Sequence, residues 1–206
     1  DYNQVADAIR TLVVRGAPAI GISGAFGLAL AVLQSNATEK KELIGYLEKA
    51  KNILFETRPT AVNLVWGLEK IMQVANQAST VQEIKTNVVE TAKKMAEEDI
   101  KINMTMGKIG SELLDDNDTI MTHCNAGALA TAGYGTALGV IRATKDNGKN
   151  IKVIATETRP VQQGSRLTAF ELKHDGIDVS LIPDTAVGYT MANRLVNKII
   201  VGADRI

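Results

Sequence analysis

The chain has 206 residues, of which 45% are hydrophobic, and its 23 basic residues balance its 23 acidic ones. This length and composition allow one large or two small globular domains with a sizeable core. The balanced charge argues against a global basic field of the kind that attracts nucleic acid or a membrane surface. A lone cysteine excludes an internal disulfide and fits a reducing cytosol, and with only two histidines it argues against a zinc site.

The first half of the chain has helical periodicity. Helices are predicted over residues 1–14, 18–34, 39–54, 61–75 and 80–114. The segment 17–33 comes closest to a membrane span, but Pro18 and several glycines interrupt it, so it is predicted to be a core helix. Thr80 and Glu83 have the Thr-x-x-Glu spacing of a capping box. We therefore expect a helical N-terminal domain over residues 1–114.

From residue 115 the pattern changes to alternating strands and helices. Strands are predicted over residues 119–122, 151–155, 177–182 and 196–201, and helices over 129–146, 163–174 and 186–194. Nearly continuous apolar strands separated by helices indicate a parallel sheet that is covered on both faces. The predicted fold class is α/β, with a Rossmann-like parallel-sheet domain over residues 115–206. Both chain ends lie in or beside predicted elements, so we expect both domains to be truncated.

Each predicted strand ends in polar or titratable sequence. Cys124 follows the first strand and Asp204 follows the last. The carboxyl ends of parallel strands converge on a crevice, where this thiol and carboxylate could exchange protons with a substrate. Each residue also has a structural alternative, Cys124 as a packed small hydrophobe and Asp204 as a helix cap. His123 is expected to be a structural hydrogen-bonding residue, and Asp184 a cap for the helix that follows it.

Three arginines each precede a predicted helix start, namely Arg15, Arg58 and Arg159. A helix N-terminus carries free N–H groups and partial positive charge, and the planar guanidinium fork of an arginine matches phosphate. The pattern indicates a small phosphorylated ligand held between the domains. The alternative is that Arg-Pro simply marks a helix start, where this dipeptide is common. The glycines over residues 127–139 lack the G-x-G-x-x-G spacing of a dinucleotide-binding loop.

Five motifs in this order closely resemble the methylthioribose-1-phosphate isomerase family over nearly the whole chain. They are residues 14–21 (VRGAPAIG), 57–60 (TRPT), 122–127 (THCNAG), 157–160 with 163–167 (ETRP and QGSRL), and 201–205 (VGADR). Members usually have alanine where Ser165 stands. The relatives of this family include ribose-1,5-bisphosphate isomerases and the regulatory subunits of the translation-initiation guanine-nucleotide exchange factor.

The resemblance implies an aldose–ketose isomerase of methionine salvage that acts on 5-methylthioribose 1-phosphate, a small phosphorylated sugar. It implies that Cys124 and Asp204 are the catalytic pair, and that substrate contacts come from Arg15, Gly16, Ala17, Arg58 and Gln163. It further implies a homodimer. The single cysteine suggests a cytoplasmic location, and the balanced charge suggests that the protein has no nucleic-acid or membrane partner. The chemistry requires neither a metal nor another cofactor.

The substrate sets a specific chemical problem, because a sugar phosphorylated on its anomeric oxygen cannot open to an aldehyde unaided. We expect Asp204 to protonate the ring oxygen and then manage the C2 hydroxyl, and Cys124 to carry a proton from C2 to C1. A hydride shift between the two carbons is the competing route. Two other functions stay open: a ribose-1,5-bisphosphate isomerase, and a non-catalytic regulatory subunit, against which the pairing of Cys124 with Asp204 argues.

Overall fold

A computed structural model describes residues 1–203 of the chain, which forms two compact units, Asp1–Asp99 and a second that begins at Ile100. The first unit is helical, with α1 (Tyr2–Arg10), α2 (Ala17–Gln34), α3 (Lys40–Phe55), α4 (Val62–Gln77) and the start of α5 (Val81–Ser111). Because α5 continues into the second unit, the domain boundary after residue 114 stays a prediction.

Two details at helix ends test the helical predictions. The predicted capping box is confirmed, because the Glu83 N–H donates to Thr80 Oγ1 at 3.1 Å and the Glu83 carboxylate accepts the Thr80 N–H at 3.3 Å. The first helix is shorter than predicted and ends at Arg10. Leu12 adopts a left-handed backbone with φ of 63°, and the Val14 N–H turns back to the Ala8 carbonyl at 3.0 Å.

Helix α2 is the centre of the first unit. By length and a mean hydropathy of 1.6 it could span a membrane, but more than half of it is buried inside the fold, as expected of a core helix. Its small residues allow α4 to approach closely: a Cβ on Gly21 would lie 2.6 Å from the Asn63 carbonyl oxygen, and one on Gly67 would overlap Gly21. The surrounding core includes Leu28, Leu43, Leu54, Leu64 and Ile71.

The second unit contains a parallel sheet, which confirms the predicted α/β class. Its strands are β1 (Thr119–Thr122), β2 (Lys152–Thr156), β3 (Asp178–Ile182) and β4 (Lys198–Ile199), paired in the order β3-β2-β1-β4. The helices of this unit, besides the end of α5, are α6 (Ala137–Asp146), α7 (Ala169–His174) and α8 (Val187–Ala192). A π turn over Gly164–Thr168 leads into α7.

Two elements of this unit differ from their predicted bounds. The helix predicted from residue 129 begins at Ala137, and the preceding loop contains only a 3-10 turn over Ala128–Ala130. The N–H groups of Ala128 and Leu129 donate to the carboxylate of Glu171, which caps this short turn. The chain then leaves helical geometry at Thr131, whose φ is −133°, and at Gly135, whose φ is 92°. Strand β4 pairs over only two residues rather than the six predicted.

The strand order places the start of the loop after β1 at a topological switch point. The chain steps from β1 to β2 to β3 in one direction, and β4 then returns to the other side of β1. In open parallel sheets, ligands bind outside the carboxyl ends of the strands at the point where the direction reverses. Cys124 lies two residues beyond the end of β1, at this position.

Candidate functional site

Cys124 has a partly exposed side chain on a backbone held in the left-handed region, with φ of 63°. Its N–H donates to Thr158 Oγ1 at 2.9 Å, and its carbonyl accepts from Thr168 Oγ1 at 2.5 Å. Both threonines are buried. A left-handed conformation costs a non-glycine residue about 1–3 kcal/mol and persists only where the surroundings impose it. The two threonines therefore fix the direction in which the thiol leaves the sheet.

The end of β2 is fixed by the end of β3. Asp184 accepts the N–H of Thr158 at 2.8 Å and the N–H of Arg159 at 2.7 Å. These two bonds lower the pKa of the Asp184 carboxyl below its ordinary value, and the bond from the Arg159 N–H has the larger effect. The prediction that Asp184 caps the helix that follows it is wrong, because its carboxylate accepts N–H groups at the end of β2. Asp184 is itself the first residue of a 3-10 turn, Asp184–Ala186, which leads into α8 and has Pro183 at its cap position.

His123 lies beside this cluster and its side chain is exposed. Its Nδ1 is 2.5 Å from Thr156 Oγ1, and Thr156 Oγ1 is in turn 3.3 Å from Thr158 Oγ1. The expected structural role of His123 as a hydrogen-bonding residue is confirmed. Through these hydroxyls the imidazole joins the same network that holds Cys124.

Glu171 contacts the loop that begins with Cys124, and no sequence motif pointed to it. Its side chain is only 5% exposed although it lies on the short helix α7. Oε1 accepts from Asn125 Nδ2 at 2.8 Å, and Oε2 accepts the Ala128 N–H at 2.7 Å. A Cβ on Gly127 would overlap this carboxylate. The one available signal was a glutamate flanked by apolar residues on a predicted helix, which does not by itself reveal burial.

Asn125, directly after the cysteine, carries a second unanticipated feature. Its side chain is 6% exposed, and its Nδ2 is committed to Glu171 and, at 3.3 Å, to Thr168 Oγ1. Its Oδ1 is buried and has no hydrogen-bond partner among residues 1–203. Buried polar atoms without a partner are uncommon, and each requires an explanation such as a catalytic role or a bound water or ion.

Asp204 lies outside the described residues, so its side chain has no structural description. The chain that leads to it is defined as far as Ala203. A Cβ on Gly202 would lie 2.8 Å from Ala126 Cβ and 3.5 Å from Thr136 Oγ1. The segment after β4 therefore runs along the loop that begins with Cys124.

The predicted phosphate-binding residues are in the first unit. Gly16 occupies the cap position of α2 with φ of 94°, and Ala17 is the first residue of that helix. Arg15 and Arg58 are half-buried, and they precede α2 and α4 respectively. Because Gly21 contacts Asn63 near the start of both helices, the two N-termini lie at the same end of this unit.

Gln163 is in the second unit and is half-buried. It precedes Gly164, on which a Cβ would overlap the carbonyl oxygen of Thr156 at the end of β2. Gln163 and Cys124 thus both follow carboxyl ends of adjacent strands. Within residues 1–203, no group of three or more His, Cys, Asp or Glu side chains could hold a metal ion.

Known proteins match all or nearly all of the chain. The model of the initiation factor 2 subunit family matches residues 13–206. A curated methylthioribose-1-phosphate isomerase from Acetivibrio thermocellus is 51% identical over 100% of this chain, which covers 61% of that protein.

Two crystal structures resemble the chain along its full length. One is 5-methylthioribose 1-phosphate isomerase from Pyrococcus horikoshii OT3, with 46% identity, a TM-score of 0.92 and 58% of its length covered. The other is translation initiation factor eIF-2B, subunit delta, from A. fulgidus, with 51% identity, a TM-score of 0.90 and 61% of its length covered. The chain therefore spans only about three fifths of the length of these relatives.

Proposed function

Because this chain belongs to the initiation factor 2 subunit family, we propose that it acts as an aldose–ketose isomerase. It converts 5-methylthioribose 1-phosphate to 5-methylthioribulose 1-phosphate, a reaction of methionine salvage. Relatives that bear the isomerase name and are about half identical support this choice. The observation that carries it is Cys124, a lone thiol at the switch point whose strained backbone is bonded at both its N–H and its carbonyl.

Ring opening is the first step of the proposed mechanism. The bond between C1 and the ring oxygen breaks while the Asp204 carboxyl gives its proton to that oxygen, and C1 is left as an oxocarbenium ion that the phosphorylated oxygen stabilises. An acid working near neutral pH needs a raised pKa, which an apolar cleft would provide. The resulting Asp204 carboxylate is then available as the base for the C2 hydroxyl.

Hydrogen transfer between the carbons is the second step. The Cys124 thiolate removes the proton from C2, which leaves an enol across C1 and C2. Asp204 takes the proton of the C2 hydroxyl, C2 becomes the carbonyl, and Cys124 returns its proton to C1. Both residues end in their starting protonation states, so no external oxidant or reductant is needed. Cys124 follows a strand end where a fixed backbone orients the thiol, as proton transfer requires.

The first unit supplies the proposed phosphate-binding groups. Arg15 and Arg58 present guanidinium forks, and Gly16 and Ala17 present N–H groups at the start of the 18-residue helix α2. Gly16 at the cap position has no side chain that would crowd a ligand near these N–H groups. Gln163 contributes a further polar contact to the sugar. Binding of the phosphate would lower the entropic cost of orienting the sugar for reaction.

We also propose a cytoplasmic homodimer that has no nucleic-acid or membrane partner. The lone thiol fits a reducing compartment. The equal numbers of basic and acidic residues provide no broad positive surface.

A regulatory role is the second candidate function. A relative with 51% identity and a TM-score of 0.90 bears the name of an initiation-factor subunit rather than of an enzyme. Such a subunit binds other proteins and needs no strained thiol, so the geometry at Cys124 favours catalysis. A ribose-1,5-bisphosphate isomerase would share that geometry and differ only in binding a second phosphate.

Turnover tests the proposal. The chain is incubated with 5-methylthioribose 1-phosphate or ribose 1,5-bisphosphate, and ketose formation is followed by NMR with the Acetivibrio thermocellus relative as assay control. We expect conversion of the first sugar, and a loss of about 10²–10⁴-fold in Cys124→Ala and Asp204→Asn. Asp178→Asn, an exposed change on β3, is the matched control and should retain activity. Equal rates in Cys124→Ala and the parent chain would contradict the mechanism, and turnover of the bisphosphate alone would contradict the substrate.

A further inference from the structure

Glu171 is a buried carboxylate that accepts hydrogen bonds from the loop after β1. It accepts from the Asn125 side chain at 2.8 Å, the Ala128 N–H at 2.7 Å and the Leu129 N–H at 3.4 Å. A buried charge is costly unless it is paired and fully hydrogen-bonded. The fold meets this cost at a loop whose regular structure is limited to the 3-10 turn over Ala128–Ala130 and an isolated bridge between Gly127 and Gly135.

Arg142 on α6 supplies the compensating charge. Its Nη2 donates to Glu171 Oε2 at 2.7 Å, its Nε to Asp175 Oδ2 at 2.6 Å and its Nη1 to the Tyr134 carbonyl at 2.5 Å. Asp175 thus shares the cation with Glu171. The Asp175 carboxylate makes no hydrogen bond to residues 125–129 among those described, and its side chain is 26% exposed against 5% for Glu171.

A chain of contacts leads from Glu171 to the cysteine. Glu171 fixes the Asn125 amide, whose Nδ2 also reaches Thr168 Oγ1 at 3.3 Å. The Thr168 hydroxyl then donates to the Cys124 carbonyl at 2.5 Å. Gly127 leaves no room for a Cβ at this carboxylate, so the loop closes tightly over it.

We propose that Glu171 is a positioning residue for Cys124: by fixing residues 125–129 it holds the cysteine in its left-handed conformation with the thiol correctly oriented. As a role in catalysis this rests on the proposed isomerase function. Glu171 itself touches no substrate. Its effect on the thiol can be measured without turnover, because Cys124 is the only cysteine in the chain.

The test compares Glu171→Gln with Asp175→Asn. Glutamine has the same shape, but its NH₂ group faces donors that the carboxylate had accepted, whereas Asp175→Asn perturbs the same arginine and leaves the loop contacts in place. The rate of alkylation of Cys124 by iodoacetamide is measured from pH 6 to 10, together with the melting temperature, kcat and KM. For Glu171→Gln we expect a displaced pH profile of alkylation and a kcat lower by about 10–100-fold, with KM changed less than about twofold.

Asp175→Asn should leave the alkylation profile and kcat close to those of the parent chain. If Glu171→Gln is folded and also leaves both unchanged, the proposal is overturned. If the alkylation profile shifts but no variant, including the parent, turns over the sugar, the isomerase function fails while control of the thiol by Glu171 stands. Should Glu171→Gln not fold, Thr168→Val replaces it, and an unshifted alkylation profile in that variant overturns the proposal.

Discussion

Backbone strain concentrates at the strand ends that form the candidate site. Of the six non-glycine residues with positive φ among those described, three are Cys124, Thr158 and Gln162, all within segments that follow β1 and β2. Such conformations are uncommon outside glycine, and they cluster where function imposes them. The two strained residues Cys124 and Thr158 are directly bonded, since the Cys124 N–H donates to Thr158 Oγ1. This bond connects the segment after β1 with the segment after β2.

The stability contributed by Asp184 should depend on pH. Hydrogen bonds from the N–H groups of Arg159 and Thr158 lower its pKa in the folded protein, so the carboxylate stabilises the fold above the unfolded pKa of about 3.9. This contribution is lost as the pH falls through the lower folded value. Asp184→Asn should therefore lower the melting temperature by a constant amount from about pH 8 to pH 5, and the difference should shrink below about pH 4.

Thermal unfolding across that pH range checks this prediction. Asp178→Asn is the control, since its exposed carboxylate makes no hydrogen bond or ion pair among the described residues. A melting-temperature gap for Asp184→Asn that stays constant down to pH 2 would show that the carboxylate is not held by the two backbone N–H groups.

At single residues, the sequence predicted that Cys124 follows the end of a strand, because a lone thiol after an apolar run is visible without a structure, and Cys124 lies two residues beyond β1. Its catalytic role stays a prediction. The sequence could not locate Glu171, because the burial of that carboxylate depends on Arg142, 29 positions away on another helix. For the same reason the hydrogen-bonding partners of Asp184 were assigned wrongly: a cap on its own helix and a contact to a neighbouring strand end have the same local sequence.

The crossing of α2 and α4 gives a prediction at the scale of elements. A Cβ on Gly67 would overlap the carbonyl of Gly21, which is rigid backbone, whereas a Cβ on Gly45 in α3 meets nothing within 4 Å. Gly67→Ala should destabilise the chain by about 1–3 kcal/mol through overpacking. Gly45→Ala should stabilise it by about 0.5–1 kcal/mol, because alanine loses less backbone entropy in a helix. Urea unfolding measures both, and a neutral Gly67→Ala would mean that the helices do not approach so closely.

Helices and strands were predictable where local pattern and tertiary contacts agree. The capping box of α5 is an example, since Thr80 and Glu83 satisfy each other's N–H groups within one turn. The start of α6 was not predictable, because the chain leaves helical geometry at Thr131, which is extended, and at Gly135, whose φ is 92°. The local pattern does not tell whether a glycine inside an apolar stretch interrupts a helix.

For the molecule as a whole, the parallel sheet followed from apolar strands alternating with helices. The order β3-β2-β1-β4 did not, because the same alternation is compatible with several strand orders. That order determines where the candidate site lies, because the pairing of β4 with β1 creates the switch point beside which Cys124 is found. Asp204, the other half of the predicted pair, lies outside the described residues, and its role stays a prediction.

The most direct test of the account is the fate of the hydrogen on C2. The chain is given 5-methylthioribose 1-phosphate in D₂O, and the ketose product is examined by NMR for deuterium at C1. Proton transfer through Cys124 predicts some deuterium at C1, because the thiol that holds the C2 proton can exchange it with solvent before it gives a proton to C1. A product that retains all of its C2 hydrogen at C1 would indicate a hydride shift and contradict the role assigned to Cys124, and the absence of any ketose would contradict isomerisation by this chain.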